Sequence, residues 1–149
     1  MRCLGSRRPA EIAASFSAIK PDMRCGEVGV ENLWDAHARA SELSATPPPV
    51  IDAADLVADP EQMMILYCRA VGIPFREDSL TWDTGHRTEW RLTDEWHETV
   101  AGSTQFSDPA TDYPATVANT PRLAEFSAHH EKFYERLRTV RLTPRSSRP

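Results

Sequence analysis

The sequence predicts an α/β domain that is mostly helical and carries two short parallel strands. Two strand candidates, RCLG at 2–5 and Val50–Ile51, are separated by two helical patterns. A parallel pair needs such an arrangement, because its strands must be joined by a crossover. Prolines at 9, 60 and 121 open apolar-periodic runs, where a residue without an N–H is tolerated in the first helical turn. Beyond Pro121, apolar residues recur every three or four positions as far as Val140, the pattern of an amphipathic helix.

Gly5 weakens the first strand, since glycine has no side chain to pack. Pro9 then starts a helix whose apolar face is Ile12, Ala13, Phe16 and Ile19, and Pro21 ends it. A second helix covers Glu31 to Leu43, with Leu33, Trp34, His37 and Leu43 at mixed helical spacing, and SATPPP stops it. Val50 and Ile51, entered from Pro49 and left through Asp52, read as a very short buried strand. In DPEQ, Asp59 caps the next helix, Pro60 takes its first position and Gln62 completes a capping-box-like pattern. Its face is Met63, Met64, Tyr67, Ala70 and Val71, and Gly72 with Pro74 supplies the stop.

Trp82, Trp90 and Trp96 surround a loop at DTGHRTE and a helix from Thr93 to Ala101; residues 107–120 read as a polar surface loop. In the last helix Leu123, Phe126, His130, Phe133 and Leu137 share one stripe. One domain over 1–142 and a disordered tail over 143–149 follow from these elements.

Of the 149 residues 40% are hydrophobic and 26% charged, ordinary values for a globular chain. The net charge of −5 conceals a division into +3 over residues 1–24, −13 over 25–131 and +5 over 132–149. An acidic middle argues against a nucleic-acid-binding face. Cys3, Cys25 and Cys68 are odd in number and widely spaced, which favours neither a disulfide framework nor a zinc site and fits a reducing cytoplasm. No apolar run is long enough to span a membrane or to serve as a signal peptide.

The stretch RRPAEIAAS at 7–15 joins a strand, a basic turn and a helix N-terminus, a combination suited to holding an anion. An arginine fork matches two phosphate oxygens. The ordinary alternative is a solvated arginine pair with Ser15 as a small packing residue. His129 and His130 are adjacent, so on a helix their side chains diverge by about 100° and should not share a metal. His130 reads as a satisfied core histidine and His97 as a surface one. The tryptophans read as packing residues that also offer faces to an adenine.

RRPAEIAASFSAIKP at 7–21 resembles the 3′-phosphate-binding segment of sulfotransferases, in which an arginine, a proline, an acidic residue and a serine recur at the spacing of Arg7, Pro9, Glu11 and Ser15. PPVIDAADLVADPEQMMILYCRAVGIPF at 48–75 is similar to a strand and capped helix of bacterial sulfotransferase-like proteins. LTWDTGHRTEWRLTDEWHETVAGSTQF at 80–106 is similar to their tryptophan-rich C-terminal region. The resemblance spans most of residues 4–140 and implies a partial P-loop sulfotransferase-like fold.

It also implies the co-substrate 3′-phosphoadenosine-5′-phosphosulfate, a small-molecule hydroxyl or amine acceptor, and no metal. Arg7 and Ser15 match the family's contacts to the donor 3′-phosphate, with Arg87 in the GHR loop as a further candidate. Arg8 stands where the family usually has an acidic or amide residue. No G-x-x-x-x-G-K-[ST] stretch occurs, so the chain reads as the C-terminal half of the fold, able to bind but inactive alone, with no catalytic residue assignable. The rival expectations are a helical interaction module, self-associating through an open Val50–Ile51 edge and the tryptophan helices, and a truncated gene product.

Overall fold

The computed structural model describes residues 4–92, 97–107 and 112–144. Its order is β1 (Leu4–Ser6), α1 (Pro9–Ile19), a 3₁₀ turn (Cys25–Val28), α2 (Val30–Glu42), β2 (Val50–Asp52), α3 (Ala53–Ala58), α4 (Pro60–Val71), α5 (Glu98–Ala101) and α6 (Pro121–Val140), with two further 3₁₀ turns between α4 and α5. The strands pair in parallel, with Leu4 opposite Val50, Gly5 opposite Ile51 and Ser6 opposite Asp52. Two short parallel strands among many helices agree with the α/β reading.

The sheet does not end at β2. Val50 also forms a parallel bridge to Arg141, and the Leu142 N–H donates to the Val50 carbonyl at 2.8 Å. Val50 is therefore paired on both sides and fully buried. This corrects the expectation of an open Val50–Ile51 edge: the chain emerging from α6 covers it.

The core is organised by α6, which packs against α1 and α2. Leu123, His130, Phe133, Tyr134 and Leu137 form its buried stripe, and Ala13, Met23, Val28, Val30 and Val50 complete the cluster. Each large apolar side chain so placed stabilises the fold by about 1.5–3 kcal/mol. Trp34 of α2 packs against this cluster, stacks on His37 and lies under the Arg136 guanidinium of α6.

Helix boundaries follow the local chemistry. Asp59 accepts the Gln62 N–H at 3.1 Å as a cap, and Gly72 closes α4 with φ of 76°, a left-handed conformation that favours glycine. α3 was not foreseen, because the short stretch AADLVA carries no repeat long enough to read; Asp52 starts it by accepting the Ala54 N–H at 3.0 Å. In α1 the buried face is Pro9, Ala13, Ala14 and Ser17, while Ile19 is exposed. Leu43 lies just beyond α2 and is also exposed.

The expected helix from Thr93 begins outside the described residues and is seen as α5. Cys3, Trp96 and residues 145–149 also lie outside them. No helix among the described residues is long and apolar enough to cross a membrane.

Candidate anion-binding site

β1 and β2 end together on Ser6 and Asp52, each 2% exposed. The Ser6 hydroxyl lies 3.2 Å from Asp52 Oδ2 and 3.4 Å from the Ile51 carbonyl, while Asp52 Oδ1 caps α3. Buried carboxylates require such donors, since an unsatisfied charge in the interior is costly. Tyr134 of α6 approaches the same carboxylate, and its phenol is pushed up to about 12, chiefly by burial and then by hydrogen bonding to Asp52. Arg138 and Arg8 act on Tyr134 in the opposite sense.

The two basic ends of the sequence thus meet around Asp52 and Tyr134: Arg8 arrives with the turn after β1 and Arg138 with the last turns of α6. Arg141, one residue past α6, binds Asp55 of α3 at 2.6 Å and the Arg138 carbonyl at 2.7 Å, which fixes that end of α6.

Arg7 and Ser15 both lie at this end of the fold, on the approach to α1 and in its second turn. Arg7 Nε pairs with Glu11 Oε2 at 3.2 Å, and both side chains are well exposed. Ser15 donates to the Ile12 carbonyl at 3.2 Å, so its half-buried hydroxyl is held by its own helix. Arg8 occupies the cap position of α1 without a side-chain cap, whereas α3 and α4 are capped by aspartates. Pro9 has no N–H, and the Glu11 and Ile12 N–H groups turn back to the Arg8 carbonyl. The α1 dipole therefore opens onto a doubly basic turn.

Arg87 belongs to a different segment. Residues 81–105 close on themselves through the Thr81–Gln105 bridge, and the Arg87 guanidinium lies 5.9 Å from the centre of the Trp90 ring. His97 stacks on Trp90 at 4.6 Å, and Trp82 donates to Ser103 while meeting Phe106 edge to face. These rings pack locally.

The histidines depart from expectation in one respect. His129 and His130 do not diverge: their rings meet edge to face at 4.9 Å, and with Cys25 they place three potential metal ligands within 4.8 Å of one another. His130 is nevertheless engaged at both nitrogens. Its Nδ1 accepts the Glu31 N–H at 3.2 Å and its Nε2 donates to the Cys25 carbonyl at 2.8 Å. That makes it a satisfied core histidine, and an ion at Nε2 would have to displace the Cys25 carbonyl and place a proton against the Glu31 N–H. His129 instead pairs with Glu31, whose carboxyl is held below its ordinary range by that hydrogen bond.

Ser6, Asp52, Tyr134 and Arg138 were not singled out in the sequence. Arg8 was visible in the basic turn of RRPAEIAAS, Arg138 only through the basic character of the chain end, and nothing in the order of residues showed that the two would converge.

The chain matches the sulfotransferase domain family over residues 3–136. It is 36% identical over 111 residues to branched-chain-amino-acid aminotransferase-like protein 2 of Arabidopsis thaliana, covering 74% of this chain and 19% of that protein. It is 34% identical over 113 residues to the related protein 1 of the same plant, covering 74% and 20%. The chain therefore spans about a fifth of the length of these relatives. No solved structure matches.

Proposed function

The chain belongs to the sulfotransferase domain family, and from that premise we propose that it binds the 3′-phosphate end of 3′-phosphoadenosine-5′-phosphosulfate at the turn between β1 and α1. The convergence of Arg8 and Arg138 beside the uncapped, Arg7-bearing start of α1 carries this reading. A phosphate there meets a helix N-terminus and guanidinium groups, the two features that most favour an anion.

Arg7 is the primary contact. Its present partner is an exposed carboxylate, and such pairs contribute only about 0–1 kcal/mol, so exchanging Glu11 for a phosphate sacrifices little. Ser15 contributes its hydroxyl by rotating away from the Ile12 carbonyl. Arg87 is a secondary contact that would reach the nucleotide from the 81–105 segment. Asp52, Ser6 and Tyr134 hold the turn in place.

Sulfuryl transfer to a small-molecule hydroxyl or amine relies on positioning and on stabilising charge at the transferred group. The sequence contains no G-x-x-x-x-G-K-[ST] loop for the 5′-phosphosulfate. The proposal is accordingly that residues 1–142 form one domain that binds the donor without transferring from it unless such a loop is supplied.

Isothermal titration with adenosine 3′,5′-bisphosphate tests the site. Binding at least tenfold tighter than that of adenosine 5′-monophosphate is expected, with Arg7→Ala removing the difference. Equal affinities for the two nucleotides, or an unchanged preference in the variant, would overturn it.

A further inference from the structure

Cys25 opens the 3₁₀ turn before α2, Glu31 lies in the first turn of α2, and His129 stands near the middle of α6. The packing of α6 on α2 and on that turn brings the three together. The Cys25 thiol, a ring nitrogen of His129 and one of His130 all lie within 4.8 Å of one another, and His129 Nε2 donates to Glu31 Oε2 at 2.9 Å. Burial, and then the Glu31 charge, push the thiol up from its ordinary value, so without a cation beside it the sulfur keeps its proton.

His130 frames this cluster without joining it. Its Nδ1 accepts the Glu31 N–H and its Nε2 donates to the Cys25 carbonyl, so one fully buried imidazole holds the backbone of both residues and has no lone pair left for an ion. The remaining donors are a sulfur, an imidazole nitrogen and a carboxylate oxygen, a set that suits zinc and not the oxygen-seeking Mg²⁺. Two ligands of a tetrahedral zinc stand about 3.3 Å apart when each is about 2.0–2.1 Å from the metal. The His129–Glu31 pair at 2.9 Å therefore has to widen by only a few tenths of an ångström, and both side chains are exposed enough to move.

We propose that Cys25, His129 and Glu31 bind a zinc-class divalent cation, with His130 as the residue that positions their backbone and water as the fourth ligand. On binding, the Cys25 proton passes to solvent and a sulfur–metal bond replaces the S–H bond, while the neutral His129 imidazole gives up its Nε2 proton and carries one at Nδ1 instead. Thiolate and carboxylate together cancel the charge of the ion, which removes the repulsion that Glu31 exerts on the thiol. The ion joins the 3₁₀ turn, α2 and α6 at one point. Arg138 lies nine residues further along α6, about 14 Å at 1.5 Å per residue, so the site is separate from the anion-binding turn and does not rest on the nucleotide reading.

The probes are Zn²⁺ followed by calorimetry, with Mg²⁺ as the comparator, and Co²⁺ followed by absorption. One zinc per chain is expected, bound at least a hundredfold more tightly than Mg²⁺, and Co²⁺ should give the charge-transfer absorption of a thiolate-bound ion. Cys25→Ser should abolish that absorption and weaken zinc at least tenfold, His129→Ala and Glu31→Gln should weaken zinc to a similar degree, and Cys3→Ser should change neither. Imidazole nitrogen NMR of the wild-type protein needs no variant: zinc should shift the His129 nitrogens while His130 keeps its Nε2–H. Lack of saturable one-to-one zinc binding, cobalt absorption that survives Cys25→Ser, or loss of the His130 Nε2–H on adding zinc would overturn the proposal.

Discussion

Ser6 and Asp52 stand opposite one another in the parallel register, and the Ser6 hydroxyl lies 3.2 Å from the Asp52 carboxylate although 46 residues separate them. Each closes its strand, and the same carboxylate caps α3 and faces Tyr134. One buried side chain therefore ties β1, β2, α3 and α6 together beside the candidate anion site.

Asp52→Ala should destabilise the domain by about 2–4 kcal/mol in urea unfolding, because it strands the Ser6 hydroxyl and removes a helix cap together. Ser6→Ala should cost only about 1 kcal/mol. The double variant should fall short of the sum, since the two residues share one interaction.

Arg138→Gln should weaken binding of adenosine 3′,5′-bisphosphate about three- to tenfold, and added salt should narrow the gap to wild type, as expected for a partly screened charge. Titrations at two ionic strengths provide the check. An affinity independent of both salt and Arg138 would detach this helix from the site.

Tyr134 gives the fold an alkaline limit. Its folded pKa of about 12 lies above the ordinary tyrosine value of 10, so the unfolded chain loses the proton first as pH rises. The stability it contributes is complete below pH ~10 and is lost towards pH ~12, amounting to about 2 kcal/mol. Unfolding free energies measured across that window should fall, and Tyr134→Phe should flatten the decline.

His130→Ala should cost about 3 kcal/mol, since it leaves the Glu31 N–H and the Cys25 carbonyl without their partner and opens a cavity at a fully buried position. His130→Phe restores volume but not the bonds, and should recover only part of the loss. Thermal melts of the three proteins decide it.

The helices were legible wherever local chemistry is strong. Pro60 with Asp59, Gly72, and the three-to-four spacing of Leu123, His130, Phe133 and Leu137 each specify a helix from a few neighbouring residues. The first strand was legible only as a candidate, because three residues around Gly5 carry little pattern. α3 was not legible at all, being short and capped by a residue that also ends a strand. In the candidate site, Arg7 and Ser15 were suggested by the resemblance of residues 7–21 to a sulfotransferase segment, whereas Asp52 and Tyr134 resemble any polar residue beside an apolar one until the chain is folded.

By itself the sequence determined the starts and stops of α1, α4 and α6, the apolar stripe of α6 and the family, because these depend on residues near one another in the chain or on their order. Tertiary structure alone decided that residue 141 covers the β2 edge, that His129, His130 and Cys25 cluster, and that Arg8 and Arg138 meet at Tyr134. Those contacts join residues roughly a hundred positions apart, and the burial of α6 against α1 and α2 is what brings them together.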